Sequence, residues 1–257
     1  MERRPWWGEA WGFVMAGWAL GAAMFLALAM GVFLVLPFVL VPRGRRERFT
    51  MPGAVRWSGI VLHQVLGLAE HVEGRLELDD DDGALVLCNH RSWLDPLLLM
   101  HHLRSNGLSK SEVRYIPFVG LMGWLCGTVY FDRRDKDQRA RARKEVMALV
   151  RQGHRVQVFP EGTRTRAGRI GDRIYLNLAM DCFHAGVPVV CCSVWRTEDV
   201  LPVGVFRAWP ARPVDLVIGP TLRPADFPDA HTFAAACWRH VVEGVDRLAD
   251  AEQVEER

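Results

Sequence analysis

The sequence predicts an α/β fold: a mixed, mostly parallel sheet covered by helices, with an N-terminal helical segment associated with a membrane. Two observations carry this prediction. After residue 83, short apolar runs alternate with helical patterns, an alternation typical of α/β sheets. Before it, residues 12–41 contain no charged side chain, and about 20 apolar residues suffice to cross a bilayer.

The N-terminal apolar segment, residues 12–41, is longer than the apolar region of a cleaved signal peptide. Three tryptophans between residues 6 and 11 are typical of a membrane interface, and four arginines follow between residues 43 and 48. This excess of arginine predicts that the rest of the chain lies on the cytoplasmic face of the cell (inner) membrane. A single tilted span and a re-entrant hairpin, with residues 55–72 as partner, both fit the segment.

An acidic turn at residues 79–82 predicts a boundary between a membrane-anchoring helical region, residues 1–78, and a globular domain, residues 79–257. Strands are predicted at residues 84–88, 128–131, 155–159, 187–194 and 214–218. Helices are predicted at residues 96–104, 138–151, 174–184 and 232–248. In such folds ligands bind beyond the carboxyl ends of the strands, so functional residues are expected at those ends.

The composition excludes several classes of function. The 257 residues carry a formal net charge of only +2, so no overall positive field favours a nucleic-acid partner. Six cysteines are present, but none forms a CxxC pair and no cysteine–histidine set has the spacing of metal ligands. The sequence therefore predicts no metal site, and its cysteines fit a reducing compartment.

One histidine–aspartate pair stands at a predicted strand end. His90 follows the strand at residues 84–88, and Asp95 precedes Pro96, where we expect it to cap the next helix. A carboxylate folded back onto the imidazole would give an oriented base able to deprotonate a hydroxyl. The same spacing also arises by chance from a loop histidine and an ordinary cap, so the pair alone does not establish a site.

Two further strand ends add charged residues. The strand at residues 128–131 leads to Arg133, and the strand at residues 155–159 leads to Glu161, Gly162 and Arg164. Guanidinium groups bind phosphate in a bidentate manner, and glycine lets a backbone approach a ligand closely. The alternative for Glu161 and Arg164 is a structural salt bridge within a loop.

These blocks resemble those of the membrane glycerolipid acyltransferases, typified by bacterial 1-acylglycerol-3-phosphate acyltransferase. Residues 89–95 (NHRSWLD) match the NHxxxxD block of that family, and residues 159–164 match its FPEGTR block. Residues 127–133 match GxxFxxR with Tyr130 in the aromatic place, and residues 187–190 resemble the weaker VP block. The resemblance covers residues 84–195 and implies a glycerol-3-phosphate acyltransferase-like fold.

The resemblance implies an O-acyltransferase of phospholipid biosynthesis. His90 would be the general base and Asp95 would orient it. The acceptor would be held by residues of the first, second and third blocks: Asn89, Arg133, Glu161, Gly162, Thr163 and Arg164. The implied reaction moves an acyl group from acyl-CoA or acyl carrier protein to 1-acyl-sn-glycerol-3-phosphate, giving phosphatidic acid. Its partners would be the lipid bilayer, the lysophospholipid and the thioester donor, and it would need neither metal nor cofactor.

One departure from the family leaves the acceptor open. Many relatives carry a Phe-Lys-Lys-Gly-like stretch after the third block, whereas residues 169–175 here read RIGDRIY. Arg169 or Arg173 would have to substitute, with Asp172 between them. Another lysophospholipid or a lyso-aminolipid is therefore an alternative acceptor. A thioesterase and a non-catalytic lipid-binding membrane protein are the remaining alternatives.

Overall fold

Seven strands form the central sheet of the computed structural model, which describes residues 6–30, 38, 40–116, 119–165 and 168–255. They are β1 (Ala69–Gly74), β2 (Ala84–Cys88), β3 (Ser105–Lys110), β4 (Val129–Phe131), β5 (Arg155–Val158), β6 (Val189–Trp195) and β7 (Pro213–Leu222). Their order across the sheet is β1-β7-β6-β2-β5-β3-β4. The strands from β2 to β6 run parallel, and β7 and its neighbour β1 run opposite to them. The sheet is mixed and mostly parallel, as predicted.

Helices cover both faces of the sheet. They are α1 (Trp6–Met30), α2 (Arg46–Gly59), α3 (Asp95–Leu103), α4 (Val119–Leu125), α5 (Lys136–Arg151), α6 (Asn177–Ala185), α7 (Thr197–Val200) and α8 (Ala230–Glu255). A π-helical segment, Ile60–Val65, continues α2. In β2, Leu85 and Leu87 pack towards α5, α6 and α8, whereas the alternate side chains pack towards α3. This two-sided burial explains why β2 is apolar throughout.

Every strand and helix predicted from the sequence overlaps an observed one, but two strands were missed. β1 is an exposed edge strand with the sequence AEHVEG, and β3 has the sequence SNGLSK. Neither has the apolar run or the alternation that predicts a strand. Because β1 pairs with β7, the sheet begins before the predicted domain boundary at residue 79, and that boundary stays a prediction.

The N-terminal helix α1 rests against the loop that precedes β7. The Ala208 N–H donates to the Gly12 carbonyl at 3.0 Å, and Ala16 is buried. Most other described side chains of α1 are exposed, including Trp11 and Trp18. No helix within the described ranges is long and apolar enough to cross a bilayer. Part of the predicted apolar segment, residues 31–37 and 39, lies outside those ranges.

The N-terminal arginine cluster (Arg43, Arg45, Arg46 and Arg48) serves mainly to join α2 to the sheet domain. Arg43 donates to the Thr128 carbonyl at 3.0 Å, Arg46 to the Trp124 carbonyl at 2.9 Å, and Arg48 to the Gln152 carbonyl at 3.1 Å. The sequence interpretation treated these charges as a flank of a membrane segment. Three of the four instead bind backbone oxygens of the protein, which weakens the argument for membrane orientation drawn from them.

Candidate active site

His90 and Asp95 meet at the carboxyl end of β2. The Nδ1–H of His90 donates to Asp95 Oδ2 over 2.7 Å. Asp95 is fully buried, whereas 15 % of the His90 side chain is exposed. With Nδ1 bound to the carboxylate, the second ring nitrogen, Nε2, carries the lone pair and has no hydrogen bond to a described residue. The pair therefore has the geometry of an oriented base that is partly accessible to solvent.

The predicted capping role of Asp95 is wrong. Asp95 is the first residue of α3 and Leu94 is its N-cap. The Asp95 carboxylate points back to the preceding loop, where its Oδ2 accepts the N–H groups of Arg91 at 2.6 Å and Ser92 at 2.8 Å. These bonds close the turn between β2 and α3 and hold the carboxylate at Nδ1 of the imidazole, so it does not cap the helix.

The third sequence block holds the backbone of His90 from both sides. Glu161 Oε1 accepts the His90 N–H at 2.8 Å, and the Thr165 N–H donates to the His90 carbonyl at 2.7 Å. The other oxygen of Glu161 accepts from the Thr165 hydroxyl and from the Gly171 N–H. Glu161 is 4 % exposed, so its carboxylate is committed to the loop. The geometry favours a positioning role over the direct acceptor contact predicted for Glu161.

Phe159 fixes the plane of the imidazole. Its ring lies on the His90 ring with centroids 4.1 Å apart and an interplanar angle of 20°. A stacked aromatic and a carboxylate together restrict both rotation and tilt of the base. The phenylalanine of the third block thus acts on the histidine of the first.

Asn89 is buried behind the site. Its amide donates to the Val194 carbonyl at 2.9 Å and accepts the Val194 N–H at 2.8 Å, which ties the end of β2 to β6. No part of the side chain is exposed. This geometry too favours positioning rather than the substrate contact predicted for Asn89.

Three cationic side chains lie close to one another at or beyond the carboxyl ends of β3, β4 and β5, on the same edge of the sheet as His90. We call Lys110, Arg133 and Arg164 the strand-end cations. Lys110 pairs in register with Phe131, two residues before Arg133. Partial burial lowers the pKa of Lys110, and the nearby charges of Arg133 and Arg164 lower it further. Burial also lowers the pKa of Arg133, although Glu112 offsets part of that effect. Like charges held together in this way favour an anionic ligand between them.

The loop that carries Gly162 shapes this cationic space. Gly162 has a φ of +67°, which favours glycine. A side chain here would also approach Tyr175 at 3.5 Å and the Arg133 guanidinium at 3.8 Å. Arg164 stacks over the Trp93 ring at 4.6 Å. Thr163 is exposed and forms no hydrogen bond with a described residue.

Other reactive side chains are buried away from this space. Ser92 is fully buried, and its hydroxyl donates to the Leu201 carbonyl at 2.8 Å. All six cysteines are buried and unpaired, and burial raises the pKa of Cys126 and Cys192 to about 12. Among the described residues, no group of His, Cys, Asp or Glu side chains has the arrangement of a metal site.

Comparisons with known proteins agree with this geometry. A family model described as Acyltransferase matches residues 70–195. The lyso-ornithine lipid O-acyltransferase of Rhodobacter capsulatus is 36 % identical over 249 residues, which cover 88 % of each chain. The chain belongs to the acyltransferase family. This confirms the resemblance drawn from the four sequence blocks.

Two further relatives define the extent of the acyltransferase similarity. A chloroplastic 1-acyl-sn-glycerol-3-phosphate acyltransferase of Arabidopsis thaliana is 30 % identical over 65 % of this chain. The match spans about half of that protein, 47 % of its length. The crystal structure of the 1-acyl-sn-glycerophosphate acyltransferase of Thermotoga maritima superposes with a TM-score of 0.79 at 22 % identity, covering 94 % of this chain and 97 % of that one. The latter likeness establishes the acyltransferase fold.

Three residues of this acyltransferase site were missed by the sequence analysis. Lys110 ends β3, a strand that the sequence did not predict. Arg91 bonds to Glu198 and to the carbonyls of Gly168 and Arg169. Thr197 donates to Asp95 Oδ1 at 2.6 Å from 102 residues away. The sequence signal for Thr197 is its place among the polar residues that follow the apolar run of β6.

The departure at residues 169–175 has a structural consequence. Arg169 donates to Asp246 at 2.9 Å and to Asp250 at 2.5 Å, both on α8. Its guanidinium therefore binds the C-terminal helix instead of joining the strand-end cations.

Proposed function

We propose that this protein is an O-acyltransferase that moves a fatty acyl group from a thioester to the free hydroxyl of a lysolipid. The observation that carries the proposal is the buried Asp95 carboxylate on Nδ1 of the partly exposed His90, together with the strand-end cations that follow parallel strands of the same sheet. A base next to an anion-binding surface suits an acceptor with a hydroxyl and a charged head group. The family membership supports the same reaction class.

The reaction balances without a further reagent. His90 Nε2 takes the proton of the acceptor hydroxyl as its oxygen bonds to the thioester carbonyl carbon. The carbon–sulfur bond then breaks, and the imidazolium returns the proton to the leaving thiolate. Asp95 keeps Nδ1 protonated and stabilises the imidazolium. Acyl-CoA or acyl carrier protein supplies an already activated acyl group, so the proposal includes no metal and no cofactor.

The acceptor we favour is 1-acyl-sn-glycerol-3-phosphate, which gives phosphatidic acid. Its phosphate would lie among Lys110, Arg133 and Arg164, since guanidinium groups bind phosphate oxygens in pairs. Gly162 leaves room for that head group beside Arg133. Thr163 stays a predicted acceptor contact, because its exposed side chain lies next to the same loop.

A lyso-ornithine lipid is a second candidate acceptor. The relative with that printed activity matches 88 % of this chain at 36 % identity, more of the chain than the plant phosphate-acceptor relative matches. In addition, Arg169 is occupied by Asp246 and Asp250, so the loop after the third block adds no guanidinium from that position. A head group with a carboxylate and an amine needs fewer cations than a phosphate does.

We also propose that the protein works at the cytoplasmic face of the inner membrane. The acceptor and product are bilayer lipids, and α1 exposes large apolar side chains such as Trp11, Phe13 and Trp18. Exposed aromatic side chains on a helix suit the interface between head groups and acyl chains.

The test is release of free thiol from palmitoyl-CoA by the membrane-reconstituted protein. Wild type, His90→Ala and His184→Ala are each assayed with lysophosphatidic acid, with lyso-ornithine lipid and without an acceptor. We expect release that needs an acceptor and falls about a thousandfold in His90→Ala, because general-base catalysis contributes roughly 10²–10⁴. His184 lies on α6 outside the site and serves as the matched control.

Each other outcome has a defined meaning. Retained turnover in folded His90→Ala contradicts the mechanism. Release independent of an acceptor supports a thioesterase. No release with either acceptor, followed by none with an acyl carrier protein donor, supports a non-catalytic lipid-binding protein.

A further inference from the structure

We propose that Thr197 is a positioning residue for the base and forms, with His90 and Asp95, a three-membered hydrogen-bonded chain. This inference rests on the proposed acyl transfer. Thr197 Oγ1 donates to Asp95 Oδ1 over 2.6 Å, and both side chains are fully buried. Thr197 does not touch the ligand space, so any effect on turnover passes through Asp95.

The two oxygens of Asp95 are held in different ways. Oδ2 accepts from His90 and from two backbone N–H groups of the same loop, at residues 91 and 92. Among the described residues, Thr197 supplies the donor to Oδ1. Rotation of the carboxylate about its Cβ–Cγ bond moves both oxygens, so the donor at Oδ1 adds a second restraint on that rotation. The Thr197 hydroxyl thereby keeps Oδ2 aligned with the imidazole.

The backbone before Thr197 is in a rare conformation that aims this hydroxyl. Arg196 has a φ of +61°, which is uncommon for a residue other than glycine. The Arg196 guanidinium binds both oxygens of Asp215 on β7, at 2.7 and 2.8 Å. The next residue but one, Glu198, binds Arg91, which adjoins the base. Arg196 thus ties the β6–α7 turn to β7, whereas Thr197 and Glu198 tie the turn to residues next to His90.

Loss of the Thr197 hydroxyl should lower turnover at neutral pH and shift its pH profile in one direction. The buried Asp95 carboxylate would lose a donor, and it would then either attract the imidazolium proton more strongly or become protonated itself. Either change reduces the fraction of protein in which an ionised Asp95 faces a neutral His90 whose Nε2 can accept a proton. Both also move the acid limb of the kcat/KM profile to higher pH. The nearest further charged groups, Arg91 and Glu161, keep their own partners in this variant.

The experiment compares Thr197→Val with Thr197→Ser under saturating donor. We expect kcat to fall about tenfold in Thr197→Val, the size expected for one hydrogen bond to a charged group, with little change in the acceptor KM. The acid limb should move to higher pH, and Thr197→Ser should restore both values. Thr50→Val is the matched control, because Thr50 is a buried threonine whose hydroxyl binds the Leu125 carbonyl far from the base.

A second variant and a second measurement keep the inference testable. If Thr197→Val does not fold, Thr197→Cys preserves the size with a weak donor and should show the same direction of change. The low-field proton resonance of His90 Nδ1 reports the same alignment without turnover, and it should move in Thr197→Val and not in Thr50→Val.

The failure of this inference differs from the failure of the proposed function. Inactive wild type contradicts acyl transfer, and the proton resonance then decides the role of Thr197. Active wild type with an unchanged kcat, pH profile and resonance in Thr197→Val contradicts the positioning role. Equal losses in Thr197→Val and Thr197→Ser also contradict it.

Discussion

Two groups of basic residues in this protein differ in their surroundings. The N-terminal arginine cluster meets backbone carbonyls and Glu47, and its charges are largely neutralised within the protein. Among the strand-end cations, Lys110 and Arg133 donate no side-chain hydrogen bond to a described residue, and the pKa of each is lowered by burial. The first group thus binds the protein itself, whereas Lys110 and Arg133 retain donors for a ligand.

This difference indicates that nearby hydrogen-bond acceptors within the protein decide whether a basic cluster is structural or available to a ligand. A guanidinium presents five donors, and each donor used by the protein is unavailable to a substrate. Density of arginine in the sequence therefore predicts a binding surface poorly. Position at the carboxyl end of a parallel strand, with few local acceptors, predicts it better.

The largest expected effect is a loss of folding stability when a buried arginine of the N-terminal cluster is removed. Arg46→Ala removes a buried guanidinium that stacks on Trp124 at 4.0 Å and binds Glu47 at 3.1 Å. Because buried Glu47 then loses its compensating charge, we expect the free energy of unfolding to fall by about 3–5 kcal/mol. Urea denaturation measures it, and exposed Arg45→Ala is the control. A stability loss below the error of the method, or a selective rise in acceptor KM, would contradict a purely structural role.

A smaller effect, on turnover rather than stability, is expected at the second group. Arg133→Ala should lower kcat/KM for a phosphate-bearing acceptor by about a hundredfold, the equivalent of about 3 kcal/mol for a lost charge-assisted contact. The free energy of unfolding should hardly change. Steady-state kinetics on Arg133→Ala and on its exposed neighbour Arg134→Ala measure the difference. Equal kinetics in the two variants would remove Arg133 from the acceptor site.

The smallest effect is expected at Lys110. Lys110→Met keeps the apolar stem and should raise the acceptor KM about tenfold, because one exposed point charge contributes less than a guanidinium. Since the pKa of Lys110 is lowered, the wild-type KM should begin to rise at a pH below the usual lysine value of 10.5. Lys144→Met on α5 is the control, and an unchanged KM and alkaline profile in Lys110→Met would exclude this contact.

Much of the fold can be predicted from local hydrophobic patterns, but two strands depend on pairing partners that are distant in sequence. The apolar run of β2 predicts its bounds because both faces of that strand are buried. β1 and β3 are polar strands that form by pairing with β7 and β5, so no local signal marks them. Long-range pairing therefore decides their structure.

The site shows the same division. Spacing and family resemblance predict His90 and Asp95, and the structure brings them to 2.7 Å. Spacing cannot predict that the side chains of Asn89 and Glu161 bind backbone groups. The partner of Asn89 lies about a hundred residues away in sequence, and the partner of Glu161 lies 71 residues away. Thr197 lies equally far from Asp95, so only the folded chain reveals it.

The contact between the loop after β5 and the His90 backbone constrains how that loop can be redesigned. Glu161 and Thr165 bind the N–H and the carbonyl of the same residue whose imidazole is the proposed base. A graft of residues 160–165 from a relative with another acceptor would move the base as well as the binding loop. Acceptor preference and rate are thus mechanically linked, and a graft meant to change one should carry residues 89–95 from the same donor protein.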